Sequence, residues 1–421
     1  MLYIMKGLIA ALGALLTICN GYQIFYMIVS MLKKTKKFYD ESTNRYAVLI
    51  CARNEENVIG DLIDSIRKQN YPQDMIDIFV AADNCTDQTA KRATEKGAVC
   101  FERCNKAFVG KGYALQFLLS KIKQKYGFDR YAGYFIMDAD NLLHPDFIKE
   151  MNKTFNGGYK VITGYRNSKN YADNWLSAGS SLCFLKQARM VNRARMIMGI
   201  SCSVSGTGFL ISKDIIKKQD GWKQFLLTED IEFTIEQVIA GEKIGYCETA
   251  IIYDEQPVDI KTTWNQRLRW AKGYYQVFLC YWRNLLKRAV CRRDFSSYDM
   301  IMTLAPCSVL TVCSMITGTL TFLYTIFTGG GIEMEFLQDT FLCILMAVCS
   351  NYFIYFSVGL VTTITEWKQI ECCNAKKIRY IFTYPIFMMI YLPISVVALV
   401  KKVEWKPIPH GVTKREAAFQ K

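Results

Sequence analysis

Residues 46–54 read YAVLICARN, residues 57–69 NVIGDLIDSIRKQ, residues 77–85 DIFVAADNC and residues 134–140 YFIMDAD. Short apolar runs alternate with an amphipathic stretch, and each run closes on polar residues. This is β-α-β logic, and it predicts an α/β, Rossmann-like domain built on a parallel sheet. Open sheets of this kind bind ligands at the carboxyl ends of their strands, and Arg53, Asp83 and Asp138 all fall at such ends. The pattern runs from about Tyr46 to Phe295, which places the domain at residues 38–298, ending in interfacial helices.

On both sides the pattern gives way to long apolar runs. Residues 7–32 carry no charged side chain, and a helix needs about 20 apolar residues to cross a bilayer. The run exceeds the ~7–15 residues of a signal-peptide core and no Ala-x-Ala site closes it, so a retained membrane helix is expected. Lys33, Lys34, Lys36 and Lys37 follow, which puts the N-terminus outside and the domain in the cytosol. Residues 300–328 and 341–365 read as two further spans. Residues 380–400, with Pro385 and Pro393, read as a transmembrane, re-entrant or interfacial segment. A third crossing after the domain would leave Lys401, Lys402, Lys406, Lys414 and Arg415 outside, against the positive-inside rule, so the reading favours a cytosolic tail at 401–421. The protein is thus expected to be integral to the plasma membrane.

Composition narrows the chemistry. The 421 residues include only two histidines, His144 and His410, which leaves little material for a His-rich zinc site or a Ser-His-Asp triad. Carboxylates must carry the acid–base work. The sixteen cysteines are scattered and are expected to be reduced, buried and structural. A net charge of +14 could signal nucleic acid, but there is no helix-turn-helix or zinc-finger spacing. Anionic lipid headgroups and a nucleotide diphosphate account for it more simply.

Three motifs carry chemistry. Asp138-Ala139-Asp140 closes an apolar strand, and hard divalent cations bind through one or two carboxylates plus substrate phosphates; standing alone, it would read as a solvated turn. Thr228-Glu229-Asp230 precedes the amphipathic IEFTIEQVIA. Thr228 as a cap and the acids in a first turn explain it locally, while the functional reading makes Asp230 a general base. Gln266-Arg267-Leu268-Arg269-Trp270 offers arginine forks for a diphosphate and an indole face for a sugar ring. A membrane-surface helix would use the same residue types.

With CARNEE at 51–56, ADNCTD at 82–87 and GKGYAL at 110–115, these motifs in this order resemble the processive membrane glycosyltransferases of family 2, the synthases of cellulose, chitin, hyaluronan and poly-N-acetylglucosamine. The resemblance covers residues 47–276 and implies a GT-A type domain embedded between transmembrane helices. It implies that Asp83 contacts the nucleoside, that Lys111 lies near uracil or phosphate, and that Asp138 and Asp140 engage UDP and its Mg2+ or Mn2+. Asp230 is then the catalytic base, with Glu229 beside it in the catalytic set. Gln266 and Arg269 close over the diphosphate, and Trp270 forms the acceptor end. Ser205-Gly206-Thr207-Gly208 is similar, more loosely, to a small-residue turn near the acceptor. WKPIPHGVTK at 405–414 resembles the gating loop of cellulose synthases, short of one residue between Thr413 and Lys414. No span or regulatory domain follows it before Lys421, so activation by a second messenger bound within this chain is not expected.

The expected function is an inverting, processive polysaccharide synthase. It takes UDP-glucose or UDP-N-acetylglucosamine, extends a β-linked glycan and exports it through the bilayer. Two alternatives stand beside it: a non-processive transferase adding one sugar to a lipid, and a catalytically silent membrane partner. Oligomeric state stays open.

Overall fold

The computed structural model describes residues 2–304 and 334–404, with a few positions between 313 and 327. Most of the span expected at 300–328, and the WKPIPHGVTK stretch, lie outside the described residues.

Helix α1 (Leu2–Leu32) leads into a domain whose eight strands form one sheet in the order β3-β2-β1-β4-β7-β6-β8-β5. The strands are β1 (Tyr46–Ala52), β2 (Ile76–Asp83), β3 (Val99–Arg103), β4 (Gly133–Asp138), β5 (Leu142–Leu143), β6 (Val161–Ser168), β7 (Phe209–Ser212) and β8 (Ile244–Asp254). β1 lies between β2 and β4, all parallel, with Tyr46 opposite Ile76 on one side and Gly133 on the other. Its run is buried, apart from the half-buried Cys51, because both faces are covered. Ala47 and Leu49 join Leu115, Leu118 and Leu119 of α4 (Lys111–Tyr126), while Tyr46, Val48 and Ile50 join Leu62, Ile63 and Ile66 of α2 (Ile59–Arg67). The two-residue period of a strand sorts these residues between two apolar layers.

The expectation of a parallel sheet is corrected: β7 runs antiparallel to β4 and β6, and β5 antiparallel to β8. The consequence is local. An antiparallel strand starts where its parallel neighbours end, so the turn before β7, residues 205–208, lies at the carboxyl end of β4 beside Asp138.

The helices α3 (Thr89–Glu95), α5 (Phe147–Asn156), α6 (Trp175–Lys186), α7 (Arg193–Met198), α8 (Lys213–Gln219) and α9 (Glu229–Ala240) complete the domain, with a π-helical stretch at Gln187–Asn192 between α6 and α7. The long α10 (Ile260–Cys291) starts at Asp259, whose side chain accepts from Thr262 N–H. Then come α11 (Phe295–Leu304), α12 (Met334–Thr365), α13 (Asn374–Met389) and α14 (Tyr391–Val400). Residues Val348–Thr365 and Asn374–Val400 are long and apolar enough to cross a membrane. The segment expected at 380–400 is two helices meeting at Ile390. Pro393 falls in the first turn of α14, where a missing N–H costs little.

Two seams fasten these helices to the domain. In the first, Arg195 of α7 donates to Asp299 of α11 at 2.7 Å, to Ser203 Oγ and to Thr303 Oγ1, and Tyr26 and Val29 of α1 pack on Ala194. In the second, α13 seats Phe387 against Gly179 of α6, and α14 packs Ile394 and Ala398 on Leu268 and Tyr275 of α10.

The described cysteines are all free thiols, as expected of reduced residues. Their expected burial is corrected: Cys202 and Cys247 are buried, but Cys104, Cys280, Cys291, Cys313, Cys349 and Cys373 are exposed. The apolar runs that carry several of them form helices with outward faces, so an apolar neighbourhood in sequence did not mean a core position.

Candidate active site

A cavity of about 310 Å³ opens at the carboxyl ends of β1, β2 and β4. Asp83, Lys111, Asp138, Asp140, Glu229, Asp230, Gln266, Arg269 and Trp270 all line it, brought from five separate stretches of chain.

On the strand side, Asp83 is fixed by Arg103, which donates to it at 2.5 Å and to Phe108 O at 2.8 Å. Lys111 opens α4 and its Nζ bridges Asp138 Oδ1 and Gly206 O. The main-chain N–H of Asp138 donates to Thr207 Oγ1 at 2.9 Å, which ties the 205–208 turn to β4. Gly206 holds φ +80°, a backbone region that suits glycine, and a Cβ there would stand 3.5 Å from Asp230 Oδ2. Asp140 accepts from Glu255 N–H at 3.1 Å and from Asn141 Nδ2 at 3.4 Å.

On the helix side, α9 begins with Glu229 and Asp230, both beside the cavity. Burial pushes the Glu229 carboxyl up to about 7, with the charge of Asp230 adding to the rise and Lys111 and Arg269 opposing it. Burial raises Asp230 as well, against main-chain N–H donation at the helix start and the same two cations. Two carboxyls side by side resist double ionisation, so the pair holds its last proton to higher pH than an isolated carboxyl would. The expected Thr228 cap is corrected. Its side chain makes no capping hydrogen bond, and Oγ1 is buried without a partner. The tertiary contact overrides the cap: α10 comes so close that a Cβ on Gly273 would stand 2.5 Å from Thr228 Cγ2 and Oγ1. That approach brings Gln266, Arg269 and Trp270 over the acids. Arg269 Nη1 donates to Leu227 O at 3.2 Å, and Trp270 meets the edge of Phe184 with ring centroids 6.0 Å apart.

Sequence reasoning did not single out Arg103, Arg166 or Asp254, and read Arg267 only as one of two arginine forks for a diphosphate. Arg166 donates to Asp254 at 2.5 Å and to Ser205 O at 2.8 Å, and sits 3.7 Å from the Phe184 ring centroid. Asp254 was within reach, since it closes the run AIIYD as Asp138 closes YFIMD. Its arginine, 88 residues away, carried no local signal.

The donor set suits a hard divalent cation. Asp138 and Asp140 offer carboxylate oxygens at the cavity, and among the described residues no cluster of three or more His, Cys, Asp or Glu forms a self-sufficient metal cage. Two carboxylates completed by phosphate oxygens is the arrangement such ions take with nucleotides. Gln266 Oε1 is buried with no hydrogen-bond partner, and unpaired polar atoms of this kind call for an explanation such as a ligand.

The model of the family described as glycosyltransferase-like family 2 matches residues 44–273, more than half of the chain and all nine of these positions. The chain belongs to glycosyltransferase-like family 2. Among curated relatives, a β-monoglucosyldiacylglycerol synthase of Synechocystis sp. is 26% identical over 253 residues, 58% of this chain and 51% of that protein. A poly-β-1,6-N-acetyl-D-glucosamine synthase of Staphylococcus epidermidis is 25% identical over 233 residues, 55% of each. The chain thus spans about half the length of these two relatives. A solved mannosyltransferase of Pyrobaculum calidifontis, in complex with GDP-Man and Mn2+, superposes with a TM-score of 0.60 at 14% identity, covering 94% of this chain and 99% of that one. This family 2 chain therefore has a GT-A-like, Rossmann-type fold with a mixed sheet.

Proposed function

We propose that this family 2 protein is a membrane-bound, inverting glycosyltransferase that moves a hexose from a UDP-sugar to an acceptor drawn from the bilayer, one sugar at a time. One observation carries the reading: the cavity that gathers the acids is also lined by Tyr391, the first residue of the apolar helix α14. A donor reaching the strand ends from water and an acceptor reaching Trp270 along α14 from lipid would meet there. The diacylglycerol product named for the Synechocystis relative supports a lipid acceptor. The catalytic domain would face the cytosol, with α1, α12 and α13–α14 as its membrane anchors.

The chemistry follows from the lining. Asp83 and Lys111 bind the nucleoside and phosphate. Asp138 and Asp140 would hold Mg2+ or Mn2+, which offsets the charge of the diphosphate when bound. Gln266 and Arg269 orient the diphosphate from the other wall, so charge growing on the departing UDP meets fixed donors. Asp230 takes the proton of the acceptor hydroxyl as its oxygen attacks the anomeric carbon opposite the breaking C–O bond, while Glu229, held neutral, avoids a second negative charge beside it. Trp270 offers an apolar face to the acceptor. The donor is UDP-glucose or UDP-N-acetylglucosamine.

A second reading, a processive synthase exporting a β-linked glycan, is favoured by the ordered motif set ending at Trp270 and by the Staphylococcus relative. Product size separates the two. Protein in membranes, given radiolabelled UDP-sugar with Mn2+ or Mg2+, should yield label in a monoglycosylated lipid extractable into organic solvent. Label held in a hydrolase-sensitive polymer would establish the second reading.

A further inference from the structure

Arg267 is 1% exposed, yet it lines the cavity and has no carboxylate partner. Nη2 donates to Ser180 Oγ at 3.0 Å and the Cys183 thiol stands close enough to interact with the guanidinium, while Nε and Nη1 are buried with no oxygen or nitrogen acceptor. The other deeply buried arginines of the domain differ: Arg103 has Asp83, Arg193 has Glu248 and Arg195 has Asp299. The ring centroids of Phe387 and Tyr391 stand 4.1 and 4.3 Å from the Arg267 guanidinium. Ring faces offset part of the cost of burying the charge, but they supply no lone pair to Nε–H or Nη1–H. A guanidinium fork left with two open N–H groups at a cavity wall matches an anionic oxygen pair. Its place settles which substrate would bring one. Tyr391 and Phe387 belong to the apolar helices α14 and α13, and Trp270 lies 5.9 Å away, so this is the acceptor end.

We infer that Arg267 is an anion site for the acceptor, and that the acceptor is an amphiphile carrying both a phosphodiester and a free hydroxyl in its headgroup. This rests on the lipid-acceptor reading above. The phosphate sits on Arg267, which holds the hydroxyl toward Asp230. The hydroxyl oxygen bonds to the anomeric carbon, the bond from that carbon to UDP breaks, the proton goes to Asp230 and UDP leaves with the electron pair. Diacylglycerol, which has the hydroxyl without the phosphate, would leave the fork empty.

The full-length protein, purified in detergent and stripped of lipid, tests this with phosphatidylglycerol and diacylglycerol as probes. Native mass spectrometry should show phosphatidylglycerol retained at least about tenfold more tightly, the order of a charge-assisted hydrogen-bonded pair. Arg267→Gln should remove that preference and raise the KM for phosphatidylglycerol with UDP affinity unchanged, and Arg267→Lys should restore part of both. Equal retention of the two lipids by the wild-type protein would overturn the inference, as would a preference that survives in Arg267→Gln. Arg267-dependent retention of phosphatidylglycerol with no sugar transferred to either lipid would leave the anion site standing and remove the lipid-transfer reading. Efficient transfer to diacylglycerol without phosphatidylglycerol preference would do the reverse.

Discussion

Arg195 and Arg267 are both buried arginines on helices that join the catalytic domain to its apolar flank, and their surroundings are opposite. At the α1–α7–α11 seam, Arg195 meets a carboxylate and two hydroxyls, Asp299 at 2.7 Å among them. At the wall of the cavity formed by α10, α13 and α14, Arg267 meets aromatic rings, a thiol and a single hydroxyl. Saturated polar groups hold two surfaces in one arrangement; unsaturated ones wait for a partner the chain does not supply. Arg195 therefore serves stability at the seam, whereas Arg267 leaves stability forgone at the cavity wall. Gln266 Oε1 and Thr228 Oγ1 on the cavity side are also buried and unpartnered, but so are Asp299 Oδ1 and Tyr26 OH at the seam, so the divide lies between the two arginines themselves.

The largest effect at the cavity is expected of Asp230→Asn. Transfer should fall by about 10²–10⁴-fold, the share of a general base, while UDP affinity and melting temperature hold; a parallel loss of folding would move Asp230 to the structural side. Arg195→Ala is the converse. It leaves the Asp299 carboxylate buried without its cation, which costs about 3–5 kcal/mol, and thermal unfolding in detergent should show that loss while the folded fraction binds UDP normally. Trp270→Ala should then lower transfer by on the order of 10²-fold, because a displaced acceptor hydroxyl loses alignment with the anomeric carbon. If Trp270 only anchored a helix at the bilayer surface, yield would fall instead.

Glu229→Gln should change how stability depends on pH. The folded-state carboxyl, raised to about 7 by burial and by Asp230, keeps a proton that the unfolded chain has already released. Wild-type stability therefore carries a penalty absent below the unfolded pKa, growing as pH rises and complete above about 7. The Gln variant lacks it, and should gain on wild type by on the order of 1–3 kcal/mol between pH 4.5 and 7.5; parallel pH profiles of unfolding would contradict this. The smallest effect is expected of Arg267→Met. Replacing an unpaired buried cation by an apolar chain should leave stability within about 1 kcal/mol of wild type, or raise it, in contrast to Arg195→Ala.

Much of this site could be read in advance because Asp83 and Asp138 close strands and Glu229 and Asp230 open a helix within recognisable motifs. YAVLICA, DIFVAAD and YFIMD announce buried parallel strands by composition, and their last residues fall where such sheets bind ligands. What escaped reading is what depends on contacts far apart in sequence. The four-residue FLIS of β7 carries no mark of direction, so its antiparallel entry, which sets the 205–208 turn beside Asp138, was hidden. The pairs Arg103–Asp83 and Arg166–Asp254 join residues 20 and 88 positions apart. Thr228 has a capping residue's chemistry, but the packing of Gly273 on α10 takes its hydroxyl elsewhere. Arg267 stood inside a motif already noted, and its full burial against the Phe387 and Tyr391 rings, which no sequence pattern announces, distinguishes it from Arg269.

In the proposed function, one cavity joins a nucleotide-sugar site to a membrane-derived acceptor. This is tested most directly by giving the purified protein, in bilayers of defined lipid, radiolabelled UDP-glucose or UDP-N-acetylglucosamine with Mn2+ and separating lipid-soluble from polymeric product. Label is expected in a lipid bearing one sugar, and should be lost in Asp230→Asn. Label found only in a long polymer, or release of UDP with no sugar transferred to any membrane component, would contradict it.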